Sequence, residues 1–480
     1  MVIALDLGSS SARATLYDTH GRAVDGCFHQ VPYEAATTRD GGVEHDPGVL
    51  LDAVATCLDA VVRTARHEDV RAVAVTSFWH GLMGFDAAHR PVTPVFMWAD
   101  SRSAGEAALL RGALDETALH ARTGCRLHAS YWPAKLRWLA RERPTEVARV
   151  TRWGSIGEHL ELALFGETAT GLSMASGTGL LDQQAQRWDI EAIAAAGIEP
   201  DQLFPIAAPA QGRRGLRAPW ATRWPALRSA PWFPAVGDGA ASNIGSDCVD
   251  PTRVALNVGT SAALRIVTGA VASPPAGLWH YRVDHRRALL GGATSEGGNV
   301  HAWCRRVLSL PDDAAVEREL AGRAPDTHGL TVLPFLAGER APGWRADRRA
   351  VIAGLSLDTT ALDIAQAAIE AVALRLALVY ELLAPHAAPG HLIVASGGTV
   401  GHSRMWGQML ADAFGRTIHA SAEREATSRG AAVLALEALG VWPEAGGRGA
   451  PLGEIFRPDA ARHARYRAAL ERHKRLDERV

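Results

Sequence analysis

The stretch Ile3-Ala4-Leu5-Asp6-Leu7-Gly8-Ser9-Ser10 returns near the middle of the 480-residue chain as Val254-Ala255-Leu256-Asn257-Val258-Gly259-Thr260-Ser261. Each copy is an apolar run, an Asp or Asn two residues ahead of a glycine, and then consecutive hydroxyl side chains. A short apolar run that does not alternate reads as a strand buried on both faces. Glycine followed by small polar residues reads as a tight turn. One copy opens each half, so the repeat predicts a duplicated domain with a cleft between the copies. Asp247-Cys248-Val249-Asp250-Pro251-Thr252 breaks any helix and sets the expected division at 1–247 and 248–480.

Outward from the first copy, Arg13 to Tyr17 reads as a returning strand, and Ala23–Gln30 as a third. Asp46 and Pro47 suit the cap and first turn of a helix running to about Arg66. Val70–Ser77 is a strand again, which makes the arrangement α/β. In the second half, His391–Ala395 is a strand that ends on Gly397-Gly398 before another helix. Ala361–Leu383 reads as a helix whose Asp363, Glu370, Arg375 and Glu381 exclude a membrane span. Glu370 suits either a solvated position or an interlobe contact. Ala208 to Arg228 reads as a surface loop, and Arg457, Arg462, Arg465 and Arg467 as the solvated face of a terminal helix.

Composition narrows the function. A net charge of -2 and a pI of 6.8 give neither a nucleic-acid footprint nor a polybasic membrane patch. Five scattered cysteines without a CxxC suggest buried thiols in a reducing compartment, with no disulfide framework or zinc site. The apolar N-terminal run is too short for a secretory leader, so a soluble cytoplasmic protein is expected. No GxGxxG follows the first strand, which disfavours dinucleotide redox chemistry.

The chemistry centres on the two turns. Successive backbone N–H groups at a glycine turn converge on an anion, and two such turns facing each other can hold a polyphosphate. Asp6 stands where a carboxylate could hold hydrated Mg²⁺, an ion that keeps several waters and takes one or two carboxylates.

In order along nearly the whole chain, several segments resemble the FGGY carbohydrate kinases. DLGSSSAR from Asp6 is similar to the family's first phosphate loop, which implies Gly8, Ser9, Ser10, Ser11 and Arg13 as phosphate contacts. SYWPAKLRWL (Ser130 to Leu139) resembles the first signature, with Pro133, Lys135 and Trp138 in place. GDGAASNIG (Gly237 to Gly245) is similar to the segment bearing the catalytic aspartate, which puts that role on Asp238. NVGTS resembles the second phosphate loop, with Gly259, Thr260 and Ser261. PFLAGERAP (Pro334 to Pro342) and the stretch Gly354 to Ala373 resemble two further family segments. Ala395 to Gly415 resembles the adenosine turn and helix, implying Gly397, Gly398 and Ser403, although His402 and Ser403 stand where the family often carries Asn.

The resemblance implies two ribonuclease-H-like (actin-like ATPase) domains with a cleft between them. It also implies ATP and Mg²⁺ as cofactors and a small-molecule sugar or sugar acid as partner, with no nucleic acid and no membrane; a homodimer stays open. A hydroxyl nucleophile must lose its proton, and a carboxylate within reach can take it. Asp238 suits that role because Gly237 and Gly239 leave little bulk around it, while a helix-capping aspartate is the rival reading. Trp79, His80, Asp100, Arg102 and Gly237 are the implied substrate contacts. Arg102 offers a fork for a carboxylate, or a local ion pair with Asp100.

WADSRS, RTGCRLHASYWPAKL and GTSAALR most resemble the gluconate kinases, so D-gluconate is the expected substrate. Trp79 stands where those kinases commonly carry Met, and His128 to Pro133 replaces an HPMSP-like stretch. A xylulose, ribulose or other polyol kinase is the alternative, and an actin-like ATPase or a non-catalytic sugar sensor the alternative of another class.

Overall fold

The computed structural model describes the whole chain except residues 66–68, 208–211, 270–272, 445, 447 and 448. The expected helix end at Arg66 and the first residues of the expected 208–228 loop therefore lie outside the described residues.

The first half is built on strands β1 (Val2–Leu7), β2 (Ser11–Tyr17), β3 (Ala23–Pro32), β4 (Ala72–Ser77) and β5 (Val236–Gly237), in spatial order β5-β4-β1-β2-β3. β1 pairs antiparallel with β2 and parallel with β4. All six β1 side chains are buried, as an unalternating Val/Ile/Leu run requires.

The second half repeats the plan with β6 (Arg253–Val258), β7 (Ala262–Thr268), β8 (Trp279–Arg282), β9 (Ala288–Thr294), β10 (Leu392–Ser396), β11 (Ile418–Ser421) and β12 (Leu452–Phe456). Their order is β8-β9-β7-β6-β10-β11-β12. β6 again pairs antiparallel with the next strand and parallel with a distant one. The same inner five-strand order thus occurs twice, with an extra strand at each edge of the second sheet. Asp6 lies opposite Thr76 in the first ladder and Asn257 opposite Ser396 in the second, so the two repeat positions are structurally equivalent. The turn differs: β1 joins β2 through Gly8 to Ser10 with Leu7 facing Ala12, whereas Val258 faces Ala262, one residue sooner.

Helices cover the sheets. α1 (Pro47–Thr64) starts as expected, with Asp46 accepting from the Gly48 and Val49 amides and Pro47 in the first turn. α2 (Asp238–Gly245) carries the candidate base. α3 (Ala361–Leu383) is opened by a Thr360/Asp363 capping box and runs buried through the second lobe. α4 (Ala426–Ala438) and α5 (Ala460–Asp477) complete that lobe. α2 and α4 cross where the lobes meet, and Arg429 on α4 donates to the carbonyls of Gly21 and Gly245 in the first lobe.

Three expectations need correction. Glu370 is neither solvated nor interlobe. It is buried within the second lobe, where it accepts from the Asp326 amide and pairs with His328 and Gln366. Described residues 212–228 are not a plain surface loop. They include the helix Ala218–Arg223, and Trp224 and Leu227 are buried, with the Trp224 indole donating to Asp59. Arg457, Arg465 and Arg467 are exposed, but Arg462 is half-buried and donates to Asp412 at 2.7 Å. All five cysteines are buried, and none forms a disulfide among the described residues. No helix among the described residues is long and apolar enough to cross a membrane.

Candidate active site

Between the lobes lies a cleft lined by Ser9 from the first turn, Asn257 and Ser261 from the second repeat, and Asp238 at the start of α2. Its walls are Trp79, His80, Trp98, Trp279 and Tyr281, with Arg265 and Arg340. The duplicated turns and the candidate base are therefore neighbours around one space.

Each turn closes on itself. Gly8 donates its amide to the Ser11 carbonyl at 3.0 Å, and Gly259 donates to the Ser261 carbonyl at 2.9 Å. The first turn is braced from outside: the Tyr33 hydroxyl donates to the Gly8 carbonyl at 2.6 Å, the Trp98 indole to Ser9 Oγ at 3.1 Å, and the His45 ring to the Ser9 carbonyl. Ser9 and Ser10 stay exposed. Ser11 does not: it is buried in β2, and its hydroxyl oxygen accepts from Gln30 at 3.0 Å. In the second turn Thr260 is exposed and Ser261 half-exposed.

Asp6 is buried, and its Oδ1 has no hydrogen-bond partner. Its Oδ2 lies 3.4 Å from Arg13, which also approaches Glu425 of the second lobe at 3.7 Å. Burial pushes the Asp6 carboxyl up to about 7, against the pull of Arg13, and Asp238 and Glu425 push the same way. A carboxylate oxygen buried without a donor is costly, and a hydrated dication satisfies it. The residues present therefore fit Mg²⁺. Among the described residues no group of three or more Asp, Glu, His or Cys side chains is placed to hold a metal ion.

Asp238 is the first residue of α2, preceded by Gly237 as the cap residue. Its Oδ1 accepts from the Gly239 amide at 2.8 Å. Burial raises its carboxyl, opposed by Arg265 and by the amides of Gly239 and Trp79. A carboxylate that is more basic than usual yet ionisable is what proton abstraction needs. The flanking glycines serve a purpose the sequence did not disclose. A Cβ on Gly237 would stand 1.9 Å from Trp79 Cε2, and one on Gly239 2.6 Å from Trp79 Cζ3. They make room for an indole, not only for a ligand.

Trp79 is fixed by its indole N–H donating to the Ser173 carbonyl at 2.9 Å. Beside it, Trp279 and Tyr281 stack with ring centres 4.1 Å apart and planes 7° apart, and Trp79 meets Tyr281 edge-on at 5.0 Å. His80 sits in the left-handed region at φ 67°, held by Nδ1 donating to the Gly177 carbonyl at 2.5 Å. That bond leaves Nε2 as an acceptor. Burial, with Arg340 and Lys135 nearby, keeps the ring neutral, well below its ordinary value. A bulky residue at positive φ is strained and has to be held in place by its surroundings.

Asp100 and Arg102 are not brought to the cleft. Arg102 Nε donates to Asp100 Oδ1 at 3.1 Å, and its terminal nitrogen pairs with both Asp100 and Glu44. The guanidinium lies 4.5 Å from the centre of the Trp138 ring, and Asp100 also accepts from the Val43 amide. With its fork occupied, Arg102 is a local ion pair, so its expected role as a substrate contact is corrected. Ser403 is likewise engaged: it caps the helix Arg404–Phe414 through the Trp406 amide and donates to Glu317 at 2.6 Å. Gly397 takes φ 98°, and a Cβ there would stand 2.4 Å from the Val258 carbonyl oxygen, whereas one on Gly398 would meet only His402 Nδ1, at 3.8 Å.

Arg265, Arg340, Trp98, Trp279 and Tyr281 line the cleft and were absent from the expected site. Arg265 is a lone charge within the apolar run Ala262-Ala263-Leu264-Arg265-Ile266-Val267, a signal that could have singled it out. Trp279 and Tyr281, two apart on one strand, share a face by the same alternation.

Residues 1–245 match the N-terminal domain, and residues 254–439 the C-terminal domain, of the FGGY family of carbohydrate kinases. A gluconokinase of Bacillus subtilis is 27% identical over 452 residues, 92% of this chain and 88% of that one. A glycerol kinase of Polaromonas naphthalenivorans is 30% identical over 465 residues, 92% of this chain and 91% of that one. The crystal structure of a xylulose kinase from Lactobacillus acidophilus, 26% identical, superposes with a TM-score of 0.89 over 99% of this chain and 97% of its own. The repeated sheet, the interlobe cleft and the two matched domains make this chain a member of the FGGY carbohydrate kinase family, whose phosphate donor is ATP.

Proposed function

We propose that the chain transfers the γ-phosphoryl group of ATP to a hydroxyl of D-gluconate, giving 6-phosphogluconate. The observation that carries this reading is the single cleft shared by Ser9, Ser261 and Asp238, two phosphate-type turns opposite one basic carboxylate. Asp238 takes the proton of the attacking hydroxyl. Backbone amides and exposed hydroxyls of the turns at Gly8–Ser10 and Gly259–Ser261 hold the phosphates, and the open backbone at Gly398 admits the nucleoside. Asp6 would hold Mg²⁺, which when bound would neutralise phosphate charge. Such transfer rests mainly on positioning and charge neutralisation. In this reading residues 1–247 supply the base, the first turn and the sugar wall, and residues 248–480 the second turn and the nucleoside side.

Two features support the acid over a neutral sugar: similarity to a gluconokinase, and a cleft whose lining carries two guanidinium groups against one carboxylate. The second reading, a neutral polyol or ketose kinase, is favoured by the aromatic wall of Trp79, Trp279 and Tyr281, which demands no charge from its ligand. ADP release with MgATP across D-gluconate, D-xylulose and glycerol decides between them. D-gluconate is expected to be fastest, and a clear preference for either neutral compound transfers the assignment to the second reading.

A further inference from the structure

The cleft holds two guanidinium groups, Arg265 and Arg340, neither of which forms a side-chain ion pair or hydrogen bond among the described residues. Arg340 is 8% exposed, its Nε is buried without a partner, and its side chain makes no hydrogen bond or ion pair among the described residues. The adjacent carboxylate is unavailable, because Glu339 is claimed by Arg345 at 2.9 Å and by the buried Arg375. Arg340 instead lies with its guanidinium 5.4 Å from the centre of the Trp98 ring. Arg265 also has a buried Nε without a partner and lies against the start of α2, where a Cβ on Gly239 would be 2.9 Å from that nitrogen.

A guanidinium removed from water without an anion is strongly unfavourable. Asp238 offsets part of the charge on Arg265, but one carboxylate facing two guanidiniums leaves an excess positive charge in the cleft. A planar fork with parallel N–H donors matches a carboxylate in two-point contact.

We propose that Arg265 and Arg340 form a carboxylate subsite that grips the acid group of the sugar acid and selects it over neutral sugars of the same length. This rests on the sugar-acid reading given above and adds the residues that enforce it. The excess charge could instead meet the transferred phosphoryl group, and the two sources of anion separate in kinetics. A carboxylate contact is lost only for acid substrates, whereas a phosphoryl contact is lost for every substrate.

The test compares D-gluconate with D-glucitol, the six-carbon polyol lacking the carboxylate, for wild type, Arg265→Gln, Arg340→Gln and the two Arg→Lys variants. The acid-over-polyol ratio of kcat/KM is expected to fall about 10²-fold in each Gln variant, mostly through KM, the scale of losing a charged hydrogen-bonded contact. Lysine, a point charge without a fork, restores only part of it. Calorimetric titration with D-gluconate in the absence of nucleotide should show the same loss. Should a Gln variant fail to fold, its Lys counterpart still reports the ratio. An unchanged ratio with both rates reduced together assigns the pair to the phosphoryl group and overturns the proposal. If wild type favours D-glucitol, the gluconate reading fails first, and absence of D-gluconate binding by calorimetry then removes the subsite as well.

Discussion

Gly245 on α2 and Gly430 on α4 bring the two lobes together backbone against backbone. A Cβ on Gly245 would stand 1.8 Å from the Ala426 carbonyl oxygen, and one on Gly430 1.8 Å from that of Ala241. Neither position admits a methyl group unless the helices separate, and α2 begins with Asp238. Gly430→Ala is therefore expected to move the base relative to the second turn and to lower kcat by roughly 10²-fold, the usual cost of about 1 Å of misplacement. Steady-state kinetics with a parallel melting curve checks this. A variant that melts normally and turns over at the wild-type rate shows that the crossing does not set the position of Asp238.

Asp238→Asn keeps the side-chain shape and the contact with the Gly239 amide but cannot take a proton. Turnover should drop by roughly 10²–10⁴, the range for a general base, with nucleotide affinity nearly intact. Rapid-quench rates together with ADP binding separate the two effects. A near-normal rate would remove Asp238 from the proton transfer.

Gly237 and Trp79 form a lock and its complement. Gly237→Ala alone should lose most sugar turnover, because its methyl group meets the indole at 1.9 Å. Combined with Trp79→Leu, which vacates that space, it should cost less than the sum of the single changes, a coupling of about 0.5–3 kcal/mol. Additive losses in the double-mutant cycle would show that the two side chains do not contend for one volume.

Stability should fall with acidification. Burial holds His120 at about 4, with its Nε2 bonded to the Leu278 carbonyl at 2.8 Å. The unfolded chain takes up that proton near 6.5 and the folded chain does not until about 4. Between those values the unfolded state binds more protons, so stability declines as pH falls from about 6.5 to about 4. His280 and His159, also lowered to about 4 by burial, add to the same slope. His120→Gln should flatten the dependence of the melting temperature on pH across that window. An unchanged slope would mean that His120 is not buried neutral.

The fold was legible because its signal is local. Six consecutive buried residues in β1 need an unalternating apolar run, and the turn after them needs glycine and small polar residues; β6 repeats the turn and a shorter buried run, Val254 to Leu256 with Val258. The motif singled out Asp238, and in the structure it lines one cleft with Ser9 and Ser261. Asp100 and Arg102 misled because one Arg-containing segment suits a ligand or a neighbour equally well, and only the fold brings Glu44 and Trp138 to the same guanidinium. Trp79 and Tyr281 meet across about 200 positions of sequence, and no periodicity in either segment encodes that meeting. Ser403 carried a competing local purpose, the start of a helix, which its hydroxyl fulfils.

The equivalent positions Asp6 and Asn257 carry different chemistry: an acid with a bare oxygen in one lobe, and in the other an amide whose Nδ2 donates to Ser396 Oγ at 3.1 Å. Two identical acids would have repelled a polyanion from both sides, and two amides would have offered it no anchor. A single ionisable member breaks the two-fold relation left by duplication, so the two lobes present unlike groups at the same ladder position.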